Sequence, residues 1–133
     1  MRPMTALAAG LAAIALAGPV LAVGMAPLGK QGMTVGPAKA FYLTVINPYA
    51  QAREFRAYVD GPVDEATRED VSILPAVVTI KPGGQRRVVV IMRGLQPGET
   101  RDTRICAELA KMEGMVHARV CSKLSATRLA ARS

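Results

Sequence analysis

Beyond residue 22 no stretch of the chain keeps a helical hydrophobic period for long. Short apolar and alternating runs recur instead, each closed by a turn signal. Residues 40–46 are rich in β-branched and aromatic types, and Asn47-Pro48 ends the run. Residues 53–60 alternate, with Phe55, Ala57 and Val59 on one face and Arg56, Tyr58 and Asp60 on the other. Gly61-Pro62 stops that strand. Residues 64–70 are charged, without an apolar stripe, and predict an exposed loop or a short turn of helix. Two short strands follow at 71–74 and 77–80, closed by Pro75 and by Lys81-Pro82-Gly83-Gly84. Residues 85–92 make the strongest strand. Val88-Val89-Val90-Ile91 is apolar on both faces, which predicts a central place in its sheet. The last two strands are predicted at 103–111 and 115–124.

About seven short strands with turn signals roughly every 8–12 residues predict an antiparallel β-sandwich. Residues 23–36 are glycine-rich and residues 125–133 are Ala/Arg-rich, so both ends are expected to be loose.

The first 22 residues follow a different pattern. Arg2 supplies one positive charge, residues 6–17 are uncharged and apolar, Gly18-Pro19 breaks a helix, and Ala22 offers a small residue. This is the order of a secretory signal, cut after Ala22 or after Ala26. The competing reading is an uncleaved anchor, since residues 4–23 approach the roughly 20 residues that span a bilayer. The organisation expected is 1–22 signal peptide or anchor, and 23–133 a single domain. Export predicts a periplasmic location and an oxidising compartment. There an even, small number of cysteines reads as a disulfide.

Opposite residues of a hairpin keep a constant sum of positions. Setting Cys106 opposite Cys121 centres the turn between Glu113 and Gly114, beside a turn-forming glycine. The same register sets Glu108 opposite Arg119, an opposite-charge pair, and Ala107 opposite Val120. One face then reads Ile105, Ala107 and Leu109 with Val116, Ala118 and Val120. The other carries Cys106, Glu108, Arg119, Cys121 and Lys123. The bridge is expected on the solvent side, as a structural staple. A redox-active pair would need close spacing and a lowered thiol pKa, neither of which is visible.

Composition narrows the chemistry. The 133 residues carry 17 Lys+Arg against 10 Asp+Glu, a net charge of +7, with one His, two Cys and no Trp. A zinc site needs more His and Cys than the chain holds, so no metal and no cofactor is expected. His117 has no acid or nucleophile at a telling spacing, so no catalytic residue is assigned and the chain reads as non-enzymatic. Every acid lies between Glu54 and Glu113, and both flanks are purely basic. For an exported chain this favours acidic partners, lipid headgroups or surface polysaccharide over nucleic acid. The plainer reading is a soluble basic surface.

The order of features carries one resemblance. Ile46-Asn47-Pro48, Ile73-Leu74-Pro75, Ile80-Lys81-Pro82-Gly83, Arg87-Val88-Val89-Val90-Ile91, Leu95 and Arg101-Asp102-Thr103 occur in a sequence that resembles the first domain of PapD-like periplasmic pilus chaperones. It covers roughly residues 30–128. It implies an immunoglobulin-like sandwich and a binding module that engages exported, pilin-like subunits by pairing along an edge strand. By position that strand is 116–124, with Val116, Ala118, Val120 and Leu124 lining the edge and Lys123 anchoring the subunit's terminal carboxylate. The family's second anchoring base falls at about Gln31, with Lys30 beside it. The second domain of those chaperones has no counterpart in the 133 residues. The alternative is a structural or assembly component of an envelope complex, which contacts the membrane only if residues 4–23 are retained.

Overall fold

The computed structural model describes residues 23–61, 68–111 and 118–130. Nine strands run through them. They are β1 (Gly24–Ala26), β2 (Gly29–Thr34), β3 (Lys39–Ile46), β4 (Arg53–Val59), β5 (Val71–Leu74), β6 (Val77–Ile80), β7 (Gln85–Met92), β8 (Thr100–Leu109) and β9 (Arg119–Arg128). They form two sheets, ordered β1-β3-β7-β5 and β2-β9-β8-β4-β6. Every pairing is antiparallel except β2 with β9, which is parallel.

Alternation along each strand sets which side chains meet between the sheets. Phe41, Leu43 and Val45 of β3 point inward against Val88, Val90 and Met92 of β7. Phe55 and Ala57 of β4 and Ile105 and Ala107 of β8 close the core from the other sheet. Burying each large side chain of this kind stabilises the fold by about 1.5–3 kcal/mol. β7 lies between β3 and β5, as its doubly apolar pattern predicts, with Val89 and Ile91 half-buried on its outer side.

The two ends depart from expectation. Residues 23–36 form β1 and β2 rather than a loose leader. β1 pairs with β3 in the first sheet. The chain then crosses at the cis Ala26–Pro27 bond, and β2 joins the second sheet. β5 and β6 make a second crossing of this kind through cis Leu74–Pro75. Gly32 belongs to this close packing, since a Cβ there would stand 2.6 Å from Lys39 Cε and 3.2 Å from the Phe41 ring. At the other end β9 runs on to Arg128 instead of fraying after Leu124, because Ala126 is fully buried in the core. The predicted 64–70 loop and the hairpin turn fall largely on residues 62–67 and 112–117, outside the described residues.

Among the described residues four polar ones are buried: Asn47, Thr103, Glu108 and Ser122. Glu108 accepts from Arg56 Nε at 2.8 Å, and Arg56 Nη2 closes an ion pair on the same oxygen. The expected pairing of Glu108 with Arg119 is therefore re-partnered. Both Arg56 and Arg119 stand opposite Glu108 in register, but Arg119 reaches out to Asp60 at 2.9 Å. Arg56 is half-exposed, which discounts the pair. Arg56→Ala is expected to cost about 1–2 kcal/mol in urea unfolding, with partial recovery in Arg56→Lys. An unchanged midpoint would show that water replaces the guanidinium at no cost.

Candidate binding site

β9 faces two ways along its length. Ser122, Leu124 and Ala126 point into the core, so Cys121, Lys123 and Ser125 point to the outer face of the five-stranded sheet. The register with β8 is the one the cysteines predict: Cys106 opposite Cys121, Ala107 opposite Val120 and Glu108 opposite Arg119. The disulfide joins Cys106 and Cys121, whose Cα atoms are 4.0 Å apart. That close approach fits a non-hydrogen-bonded cross-strand pair. The bridge sits on the outer face, as expected, with Cys106 fully buried and Cys121 half-buried. Asp60 and Arg119 form the cover. Arg119 Nη1 donates to the Tyr58 hydroxyl at 3.3 Å and to Asp60, and Arg104 Nε lies 3.6 Å from Asp60. The Tyr58 hydrogen bond, and then the Asp60 charge, favour the charged form of Arg119. Asp60 and the two sulfurs lie within 4.8 Å of one another, but with the sulfurs joined the group offers a metal only one carboxylate.

Beside this cover the outer face forms a groove of about 1100 Å³, bordered by Gln31 of β2, Asp102 and Arg104 of β8, Lys123 and Ser125 of β9, and Asp60. Lys123 stands directly opposite Arg104. Like charges facing each other across two strands repel. Asp60 offsets part of the Arg104 charge, and Lys123 is exposed with no ion pair among the described residues. The structure thus brings Lys123 and Gln31 to one groove, and Lys30, despite its opposite parity, borders it too. The sequence reasoning missed Arg104, although the cysteine register already sets it against Lys123.

The edge expected at 116–124 is shorter. β2 covers β9 from Lys123 to Arg128, with Lys123 N–H donating to the Leu28 carbonyl at 3.0 Å. Ser122 Oγ also donates to the Pro27 carbonyl at 2.7 Å. Only 119–122 lack a second strand among the described residues. Because main-chain groups alternate in direction, Arg119 and Cys121 turn their N–H and C=O toward that open flank. Of the residues expected to line the edge, Leu124 is buried in the core and Val120 packs against it. Ala118 is half-buried just before β9, and Val116 lies outside the described residues. A parallel β2 was not foreseen because residues 29–34 carry no hydrophobic alternation.

Comparison with solved structures gives the architecture a wider setting. The ASH/PapD-like domain 7 of human CEP192 matches with a TM-score of 0.66 at 16% identity, over 99% of this chain and 94% of that one. The fold is PapD-like. A chain of the Salmonella enterica SafA pilin–SafB chaperone complex matches with a TM-score of 0.65 at 14% identity, covering 88% of this chain and 59% of that one. The E. coli chaperone DraB matches at 0.62 and 15% identity, over 85% and 58%. The chain therefore spans a little under three fifths of the length of these chaperone-related chains. No family model and no curated protein matches the sequence. The structural matches are chaperone and binding-type domains rather than enzymes. Among the described residues no helix is long and apolar enough to cross a membrane. Residues 1–22, read as a signal or anchor, and His117 lie outside the described residues.

Proposed function

We propose that this PapD-like domain is a non-catalytic, exported binding module that engages protein subunits in the manner of a pilus chaperone. The observation that carries the reading is the facing pair of cations, Arg104 and Lys123, next to the open flank of β9. Two cations held side by side favour an anion between them. A subunit strand added along 119–122 brings main-chain hydrogen bonds to the flank, and its terminal carboxylate to Lys123 and Arg104. Gln31 stands where the family's second base would, and it offers a neutral donor there. In this reading residues 1–22 are a signal or anchor and residues 23–133 the domain, at work in the periplasm.

The second reading is a structural or assembly component of an envelope complex without chaperone activity. It is favoured by the near-complete match to a single PapD-like domain outside the chaperones.

Pull-down of the chain from an extract of its own envelope separates the two. Lys123→Ala is expected to weaken capture of an exported subunit on the order of tenfold, the loss of one charge-assisted contact. Arg119→Pro removes a donor from the open flank and should abolish capture, while Arg119→Ala should not. Capture that survives both Lys123→Ala and Arg119→Pro would leave the structural reading.

A further inference from the structure

The strand ends gather at two poles. One pole collects the starts of β1, β4 and β7, the ends of β3, β6 and β8, and the turns between them. Lys81, Arg86, Arg87 and Lys111 are exposed there. None of the four makes an ion pair within the described residues. Arg87 lies 5.4 Å over the Tyr42 ring instead. Arg53 adds a further cation, stacked 5.8 Å over Tyr49. The described acids at this pole are Glu54 and Glu108, and Glu108 is buried beneath Arg56. Among the described residues the pole is net positive.

Toward the opposite pole the acids are more numerous: Asp60, Glu69, Asp70, Glu99 and Asp102 stand among its cations, although Lys39, Arg93 and Arg128 make no ion pair among the described residues. Arg101 holds Glu99 at 3.0 Å and Asp70 at 3.7 Å, and Arg104 leans on Asp60. Arg119, which starts near the basic pole, turns away from it to Asp60. The described acids are therefore concentrated away from the basic pole, where Glu54 is the exposed acid among the described residues.

The chain before β1 leaves from that same end. Val23 is buried, and Gly24 stands opposite Ile46 at the end of β3. The twenty residues before Gly24 are the apolar run 4–23. We propose that the basic pole, through Lys81, Arg86, Arg87 and Lys111, docks on an anionic lipid surface. The charges are complementary to acidic headgroups, and a polybasic patch beside an apolar segment is the arrangement that membrane electrostatics rewards. The apolar residues 4–22 in the bilayer, next to Val23 in the core, would hold this pole at headgroup level, with the groove around Lys123 facing away. The proposal does not depend on the strand-edge reading, because the pole shares no residue with that groove.

The test is hydrogen exchange on the full chain reconstituted into vesicles of phosphatidylcholine alone, or with a third of phosphatidylglycerol. In the anionic vesicles the amides of 81–87 and 109–111 are expected to exchange on the order of tenfold more slowly. The effect should vanish at high salt, where the attraction is screened. It should also vanish in the variant Lys81→Gln/Arg86→Gln/Arg87→Gln/Lys111→Gln. Unchanged protection of the buried β8 amides in that variant shows that it is folded; if it is not, the salt series on the native chain decides. Equal exchange in the two lipids, or protection that persists at high salt, overturns the proposal. Protection by soluble dextran sulfate but not by phosphatidylglycerol overturns it in favour of an acidic polysaccharide.

Discussion

Replacing Cys106 and Cys121 together by alanine is expected to lower the stability of the domain by about 3 kcal/mol, the chain-entropy value for a bridge that closes a loop of this length. The cysteines are 15 residues apart in sequence and join β8 to β9. In the unfolded chain the bridge holds those two segments together, so cutting it enlarges the unfolded ensemble. The native hairpin keeps its other cross-strand pairs and, on the outer face, the cover formed by Asp60, Arg104 and Arg119. The urea midpoint should therefore fall, and the slope m should rise because the freed chain exposes more surface. A midpoint equal to that of the native protein would show that the bridge adds no constraint to a hairpin its own contacts already define. A thiol reagent would reach the Cys106 sulfur only through opening of the β8–β9 pair, since Cys106 is fully buried, whereas Cys121 is half-buried.

Asn47 carries the second large effect. Its side chain is fully buried and acts as a clamp at the end of β3. Nδ2 donates to the carbonyls of Gln51 and Ile80 at 2.9 Å each and to that of Lys81 at 3.2 Å. Oδ1 accepts from the Tyr49 N–H at 2.8 Å, and the Asn47 N–H donates to the Gly84 carbonyl at 2.9 Å. One side chain thus ties the 47–51 turn to the end of β6 and to the turn that leads into β7. The last two elements lie in different sheets, so the clamp also holds the sandwich closed at this corner. Asn47→Ala leaves the buried Ile80 carbonyl and the half-buried Gln51 and Lys81 carbonyls without their donor and is expected to cost about 3 kcal/mol. For a domain of this size that corresponds to a fall of roughly 10–15 °C in Tm. Asn47→Asp should cost at least as much, because it sets a carboxylate against two or three carbonyls in place of a donor. Calorimetry on both variants checks this. A loss below about 1 kcal/mol for Asn47→Ala would show that water enters the corner and satisfies the carbonyls.

The β-rich class, the bounds of β5, β6 and β7, the inward face of β4, and the disulfide with its hairpin register were legible in the residues alone. These are local properties. Alternation has period two, proline and glycine punctuate it, and one register for a hairpin fixes every pair along it. The outward direction of Lys123 and its confrontation with Arg104 follow from the same register. The rest depends on how the strands assemble. Residues 24–34 become two strands in two sheets because each finds an edge already laid down, β3 for one and β9 for the other. Nothing in their own pattern demands it. That pairing covers most of β9 and reduces its open flank to 119–122. Glu108 and Cys106 are buried on an outward face because Arg56, Tyr58, Asp60 and Arg119 lie over them, and those residues come from strands more than forty positions away in sequence or from the far side of the hairpin. The charge polarity of the domain has the same origin: which cations find a carboxylate depends on which strand ends meet, and that is a property of the assembled sandwich.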